Sequence, residues 1–190
     1  MKKIVIIGPE STGKSMLCEK LVAHYKTTWA KEYAREYLLR KGREYRYEDL
    51  LDIAKGQIEA EQSVVDSWQL TVGSREFSNL QPPTSNYPHI FIDTDMYVMK
   101  IWCEFVYEKC HHWILNRIVE RKYDLYLLCN IDLPWVKDEL REYPDLKRRK
   151  ILYHHYKDCM VNQSVPWVEI SGDYDERLRK AIAAVDGLGV

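Results

Sequence analysis

Near the N-terminus, Gly8-Pro9-Glu10-Ser11-Thr12-Gly13-Lys14-Ser15 sets two glycines, a lysine and a hydroxyl at the spacing G-x-x-x-x-G-K-S. The chemistry this spacing serves is the cradling of a polyphosphate. Successive backbone N–H groups turn toward one anion, and a helix starting at the lysine adds the positive end of its dipole. Lys14 would then bridge the β- and γ-phosphates, with the Ser15 hydroxyl on Mg²⁺. The pattern carries this meaning only between a strand and a helix. Ile4 to Ile7 is an unalternating β-branched run, as in a strand buried on both faces, and Lys14 to Tyr25 carries Leu17, Leu21 and Val22 at helical spacing. A chance glycine turn would lack both flanks.

A second set lies at Ile90-Phe91-Ile92-Asp93-Thr94-Asp95, a buried-strand run ending in carboxylates. Asp93 is the natural second holder of Mg²⁺. Asp95 lies two residues on, where it can take the proton of an attacking hydroxyl or cap the next helix; one side chain could do both. ATPases that activate water commonly carry Glu directly after this Asp, and here that position is Thr94. A guanine-reading N-K-x-D is missing, since Asn130 precedes Ile131 and Asp132. Water is thereby disfavoured as the acceptor, and a signalling GTPase with it; a small-molecule kinase using ATP and Mg²⁺ is the reading that remains. Such a transfer needs cations against the developing charge and a cover against water. The stretch 134–150, with Arg141, Lys147, Arg148, Arg149 and Lys150, fits a lid. Most of its charges read as a solvated helix face, and Arg141 is the candidate to reach the phosphates.

The elements that must position these residues alternate along the chain. Strands are expected at 4–7, 29–30, 90–93, 125–129 and 168–170, with helices at 14–25, 32–38, 47–68, 95–109, 113–121, 151–160 and 176–185. This alternation predicts an α/β, three-layer αβα P-loop fold with a five-stranded, mainly parallel sheet and a helical lid. One domain over 1–190 is expected, with 69–88, rich in Gly, Pro, Ser and Asn, as an exposed loop insertion. Ligands of such sheets bind beyond the carboxyl ends of the strands, where Gly8, Asp93, Asn130 and Ser171 fall.

The net charge of -1 leaves no global field to draw the chain onto nucleic acid or an anionic membrane. No stretch approaches the roughly 20 apolar residues of a spanning helix. The five cysteines are odd in number and form no C-x-x-C pair, which suits reduced thiols in the cytoplasm. Cys103, Cys110, His111 and His112 match no common zinc spacing, and the two cysteines read as core thiols.

Taken together, the P-loop, Glu32-Tyr33-Ala34-Arg35-Glu36-Tyr37, Ile53-Ala54-Lys55-Gly56-Gln57, Phe91-Ile92-Asp93-Thr94-Asp95 and Pro134-Trp135-Val136-Lys137-Asp138-Glu139-Leu140-Arg141 resemble the ribosylnicotinamide kinase domain of NadR proteins. The resemblance spans nearly the whole chain. It implies transfer of the ATP γ-phosphate to the 5′-hydroxyl of nicotinamide riboside. It further implies that Trp135 stacks on the cationic pyridinium ring, that Glu32, Arg35 and Asp138 contact ribose or nicotinamide, and that Gly172-Asp173-Tyr174 lies at the adenine. A kinase for another nucleoside or vitamin, and a nucleotide-dependent switch, are the alternatives. Two features depart from the family pattern. The chain begins at strand one, so repressor and adenylyltransferase activities are expected to be absent, and the insertion at 69–88 is longer and more proline-rich.

Overall fold

The computed structural model describes residues 1–42, 44–73 and 89–189. Five parallel strands form one sheet: β1 (Lys2–Ile7), β2 (Thr28–Ala30), β3 (His89–Asp93), β4 (Leu125–Cys129) and β5 (Trp167–Ile170), in the order β2-β3-β1-β4-β5. The helices are α1 (Lys14–Tyr25), α2 (Tyr33–Lys41), α3 (Tyr47–Gly73), α4 (Met96–Tyr107), α5 (His112–Glu120), α6 (Leu146–Val161) and α7 (Tyr174–Asp186). The chain switches direction across the sheet on either side of β1, which sets the crevice for a ligand at the end of that strand.

Strand alternation sorts the core into two layers. Ile4 and Ile6 face one side, where Leu17 and Leu21 of α1 and Ala181 and Val185 of α7 cover them. Val5 and Ile7 face the other, under Val65 of α3, Val98 and Ile101 of α4, and Leu152 and Tyr156 of α6. Each of these four strand residues is fully buried, which stabilises the fold by about 1.5–3 kcal/mol per side chain. A third cluster joins Leu50, Ile53 and Ala54 of α3 to Met96, Met99 and Cys103 of α4 and Ile114 of α5.

Boundaries shift where a local interaction overrides the pattern. Helix α6 begins at Leu146 rather than 151, because the Asp145 carboxylate accepts the Arg148 N–H at 2.9 Å and caps it. Helix α3 continues through residues 69–73, the first five of the expected insertion, and 74–88 lie outside the described residues. Among the described residues, no helix is long and apolar enough to cross a membrane, and the five cysteines are free.

Candidate active site

The loop between β1 and α1 is held from behind. Gly8 has φ +141°, and a Cβ on it would meet the Cys129 carbonyl oxygen at 2.7 Å, so only glycine lets the loop leave β1 this close to β4. Arg177 of α7 is 2% exposed. Its guanidinium donates to the carbonyl oxygens of Thr12 at 2.9 Å, Gly172 at 2.8 Å and Asn130 at 3.0 Å, and pairs with Asp132. One side chain thus ties the phosphate loop to the ends of β4 and β5. Lys14 Nζ donates to the Gly8 and Pro9 carbonyl oxygens, each at 3.0 Å, which holds the ammonium over the loop.

The end of β3 is built differently. Ser15 Oγ donates to Asp93 Oδ2 at 2.6 Å, while Asp93 Oδ1 is buried with no hydrogen-bond partner among the described residues. Burial raises the Asp93 carboxyl above its ordinary pKa, and the nearby Glu32 charge adds to this against Lys14 and the Ser15 hydroxyl. A hydroxyl beside a carboxylate with a spare buried oxygen is a hard-oxygen donor set that fits Mg²⁺. Thr94 follows with φ +79°. This left-handed conformation costs a β-branched residue about 1–3 kcal/mol. Its Oγ1 is also buried without a partner among the described residues.

Asp95, by contrast, is engaged on both oxygens. Oδ1 accepts the Tyr97 and Val98 N–H groups at 3.0 and 3.4 Å and caps α4, and Oδ2 accepts the Tyr126 hydroxyl at 2.7 Å. Of its two predicted roles, the structure displays the cap. Burial pushes its carboxyl up to about 6, opposed by those same hydrogen bonds.

Glu32 reaches the site through its neighbours. Gln57, 2% exposed on α3, accepts the Tyr33 N–H at 2.7 Å and donates to the Lys31 and Asp93 carbonyl oxygens at 3.3 Å each. The residues on both sides of Glu32 are therefore pinned to the end of β3. Gly56 makes this possible, since a Cβ there would fall 2.1 Å from the Tyr33 ring.

These parts line one cavity of about 560 Å³. Of the predicted residues it brings together Gly8, Glu10, Ser11, Thr12, Gly13, Lys14, Ser15, Glu32, Arg35, Asp138 and Arg141. Arg35 and Asp138 are paired with one another at 2.9 and 3.2 Å, tying α2 to the segment between β4 and α6. Pro9, Asp93, Asp95, Trp135, Gly172 and Asp173 are not on its wall. Trp135 turns its indole N–H to Glu10 at 3.2 Å, which packs its segment onto the loop rather than offering a face to the cavity. Gly172 donates its N–H to Asp132 at 2.6 Å, and Asp173 caps α7 in a capping box with Glu176. The rings on the wall are Tyr45, Trp102, Tyr156 and Tyr174. Segment 135–143 is strapped to the loop, since Glu10 also accepts the Glu142 and Tyr143 N–H groups at 2.9 and 2.6 Å, and Ser11 Oγ accepts that of Val136 at 2.9 Å. Arg149 turns inward from the first turn of α6 and is 3% exposed, with its Nε lacking a partner among the described residues.

Sequence reasoning missed Arg177, Gln57 and Trp102. Gln57 and Gly56 lay inside a quoted motif, but their partners are far apart in the chain.

A family described as an AAA domain matches residues 3–177. The chain belongs to that AAA-domain family. This AAA domain is 27% identical over 186 residues to the trifunctional NAD biosynthesis/regulator protein NadR of Salmonella typhimurium, and 26% identical over 186 residues to that of Escherichia coli. Each match covers 97% of this chain and 42% of the relative, so the AAA domain spans about two-fifths of the curated relatives' length. Among solved structures, a NadR protein in complex with NR superposes with a TM-score of 0.74 at 22% identity, covering all of this chain and 50% of that one. A NadR protein with NAD and AMP-PNP gives 0.66 at 21%, with the same coverage. Thymidylate kinase from Ehrlichia chaffeensis gives 0.62 at 12%, covering 97% of this chain and 98% of that one. These likenesses fix the fold as that of P-loop NTPases, as the sequence pattern predicted.

Proposed function

We propose that this AAA domain is a small-molecule kinase that transfers the γ-phosphate of ATP to the 5′-hydroxyl of nicotinamide riboside. The observation that carries the reading is one cavity lined both by the phosphate loop and by an acid, Glu32, among apolar and aromatic side chains. The similarity to NadR proteins, one of them solved with NR, supports the choice of acceptor. In this reading 1–190 act as one kinase domain with 134–150 as the lid, and the free thiols suit the cytoplasm.

Ser15 and Asp93 would hold Mg²⁺, which supplies positive charge to the β- and γ-phosphates. The loop N–H groups and Lys14 bind the same phosphates, and Arg141 adds charge from the lid. Trp102 and Tyr45 replace Trp135 as the rings for a cationic pyridinium, held by cation–π attraction. Tyr174 offers its ring to the adenine, with Gly172 and Asp173 behind it. Glu32 takes the 5′-hydroxyl proton as that oxygen bonds to the γ-phosphorus, the bridging P–O bond to the β-phosphate breaks, and ADP leaves. Glu32 holds this role better than Asp95 because it lines the cavity, whereas Asp95 is buried and occupied on both oxygens.

A coupled ADP-release assay with nicotinamide riboside, other nucleosides and thiamine-like cations tests the reading. Stimulation by nicotinamide riboside is expected, and none would remove it as the acceptor. Glu32→Gln should lower turnover by about 10²–10⁴-fold. Asp95→Asn should mainly lower stability, by about 1 kcal/mol for a weakened cap, and leave turnover within a few-fold. The reverse ranking would return the base role to Asp95.

A further inference from the structure

Thr94 combines two features that are each unfavourable for a threonine. Its φ of +79° suits glycine or asparagine and is unfavourable for a β-branched side chain. Its hydroxyl is buried without a partner among the described residues, where threonine ordinarily bonds nearby backbone. Neighbouring interactions fix this geometry from both sides. The Thr94 N–H donates to the Ile6 carbonyl oxygen at 3.2 Å, extending the pairing of β1 with β3, and Asp95 caps α4 immediately after. A valine would fill the same space without the orphan hydroxyl, and a glycine would remove the strain.

The location says what the hydroxyl is for. Thr94 is on the cavity wall, at the end of a strand that lies between β1, which carries the phosphate loop, and β2, which leads to Glu32. It therefore stands between the donor phosphates and the acid. Strain and a buried, unpartnered polar atom meet at one residue of the cavity wall, which marks a group held ready for a ligand.

We propose that Thr94 is a positioning residue for the phosphoryl acceptor: its Oγ–H donates to the attacking hydroxyl oxygen and fixes that oxygen between Lys14 and Glu32. The acceptor oxygen then has one lone pair on Thr94 and one aimed at phosphorus, and its own proton goes to Glu32. This rests on the kinase reading above and extends it to a residue to which neither the motif nor the resemblance gave a role toward the acceptor.

The test compares Thr94→Val and Thr94→Ser with the wild type in kcat, KM for the acceptor, ATP affinity and Tm. Valine keeps the branch and the volume, so kcat should fall about tenfold to a hundredfold through loss of alignment. ATP affinity should stay within a few-fold, and Tm should match or exceed the wild type, since a buried orphan hydroxyl has gone. Serine, which keeps the hydroxyl, should restore most of kcat. Wild-type kcat in Thr94→Val would overturn the inference, as would a fall in Thr94→Ser equal to that in Thr94→Val, or a lowered Tm in Thr94→Val that tracks the lost activity. A wild-type protein that releases ADP with no acceptor would instead remove the kinase reading, and this inference with it.

Discussion

The two sides of the cleft treat polar atoms in opposite ways. Behind the phosphate loop, Arg177 finds four oxygen partners and Thr12 Oγ1 bonds the Pro9 carbonyl at 2.8 Å. At the end of β3, Asp93 Oδ1 and Thr94 Oγ1 are buried with no partner among the described residues. A buried polar group left unpaired costs about 1–3 kcal/mol. The first side is therefore scaffold, closed on itself, and the second side is kept open for what binds.

Substitutions should separate the two sides. Asp93→Asn should have the largest effect on turnover with Mg²⁺ and ATP, about a hundredfold to a thousandfold, as expected when several kcal/mol of charge stabilisation is lost. Its Tm should hold or rise, because burial and Glu32 already disfavour the carboxylate in the fold. A large fall in Tm would place Asp93 with the scaffold. Arg177→Met should do the reverse, costing about 3–5 kcal/mol in chemical denaturation and weakening ATP binding only as the loop loosens. An unaltered denaturation midpoint would break the contrast from the other side.

A smaller effect than at Asp93 or Arg177 is expected at Asp49, where α3 meets α2. It accepts hydrogen bonds from Lys41, the Arg46 N–H at 2.7 Å and the Tyr37 hydroxyl at 2.7 Å, led by Lys41, and these lower its carboxyl to about 2. A depressed acid stabilises the fold above its unfolded pKa of about 4 and ceases to do so as pH falls through the folded value. Asp49→Asn should therefore cost about 2 kcal/mol near neutral pH. The Tm gap to wild type should narrow as pH drops from about 4 toward 2; a gap that is constant over that window would deny the carboxylate its role.

The sheet, the phosphate loop and the carboxylates at the end of β3 were legible because each is local: a run of β-branched residues, a glycine spacing, an acid closing a strand. The start of α6 at Leu146 turned on Asp145, a cap hidden in a charged stretch. Trp135 was expected at the pyridinium because the resemblance carried by Pro134-Trp135-Val136 reads the same whether the ring faces inward or packs. Choosing between these needs its partner, Glu10, 125 residues away. Arg177 and Gln57 were invisible for the same reason, since all their bonds but the one to Asp132 go to backbone carbonyls and amides that carry no residue-type signal.

The strap over the phosphate loop has its fastenings crowded onto two adjacent side chains. Trp135, Glu142 and Tyr143 meet on Glu10, and Val136 meets on Ser11. A cover held to the loop at these points and to α2 by the Arg35–Asp138 pair would have to release both before it lifted. Traffic through the cleft would then be counted in openings per second, with the tempo set by a carboxylate that never touches the reacting atoms.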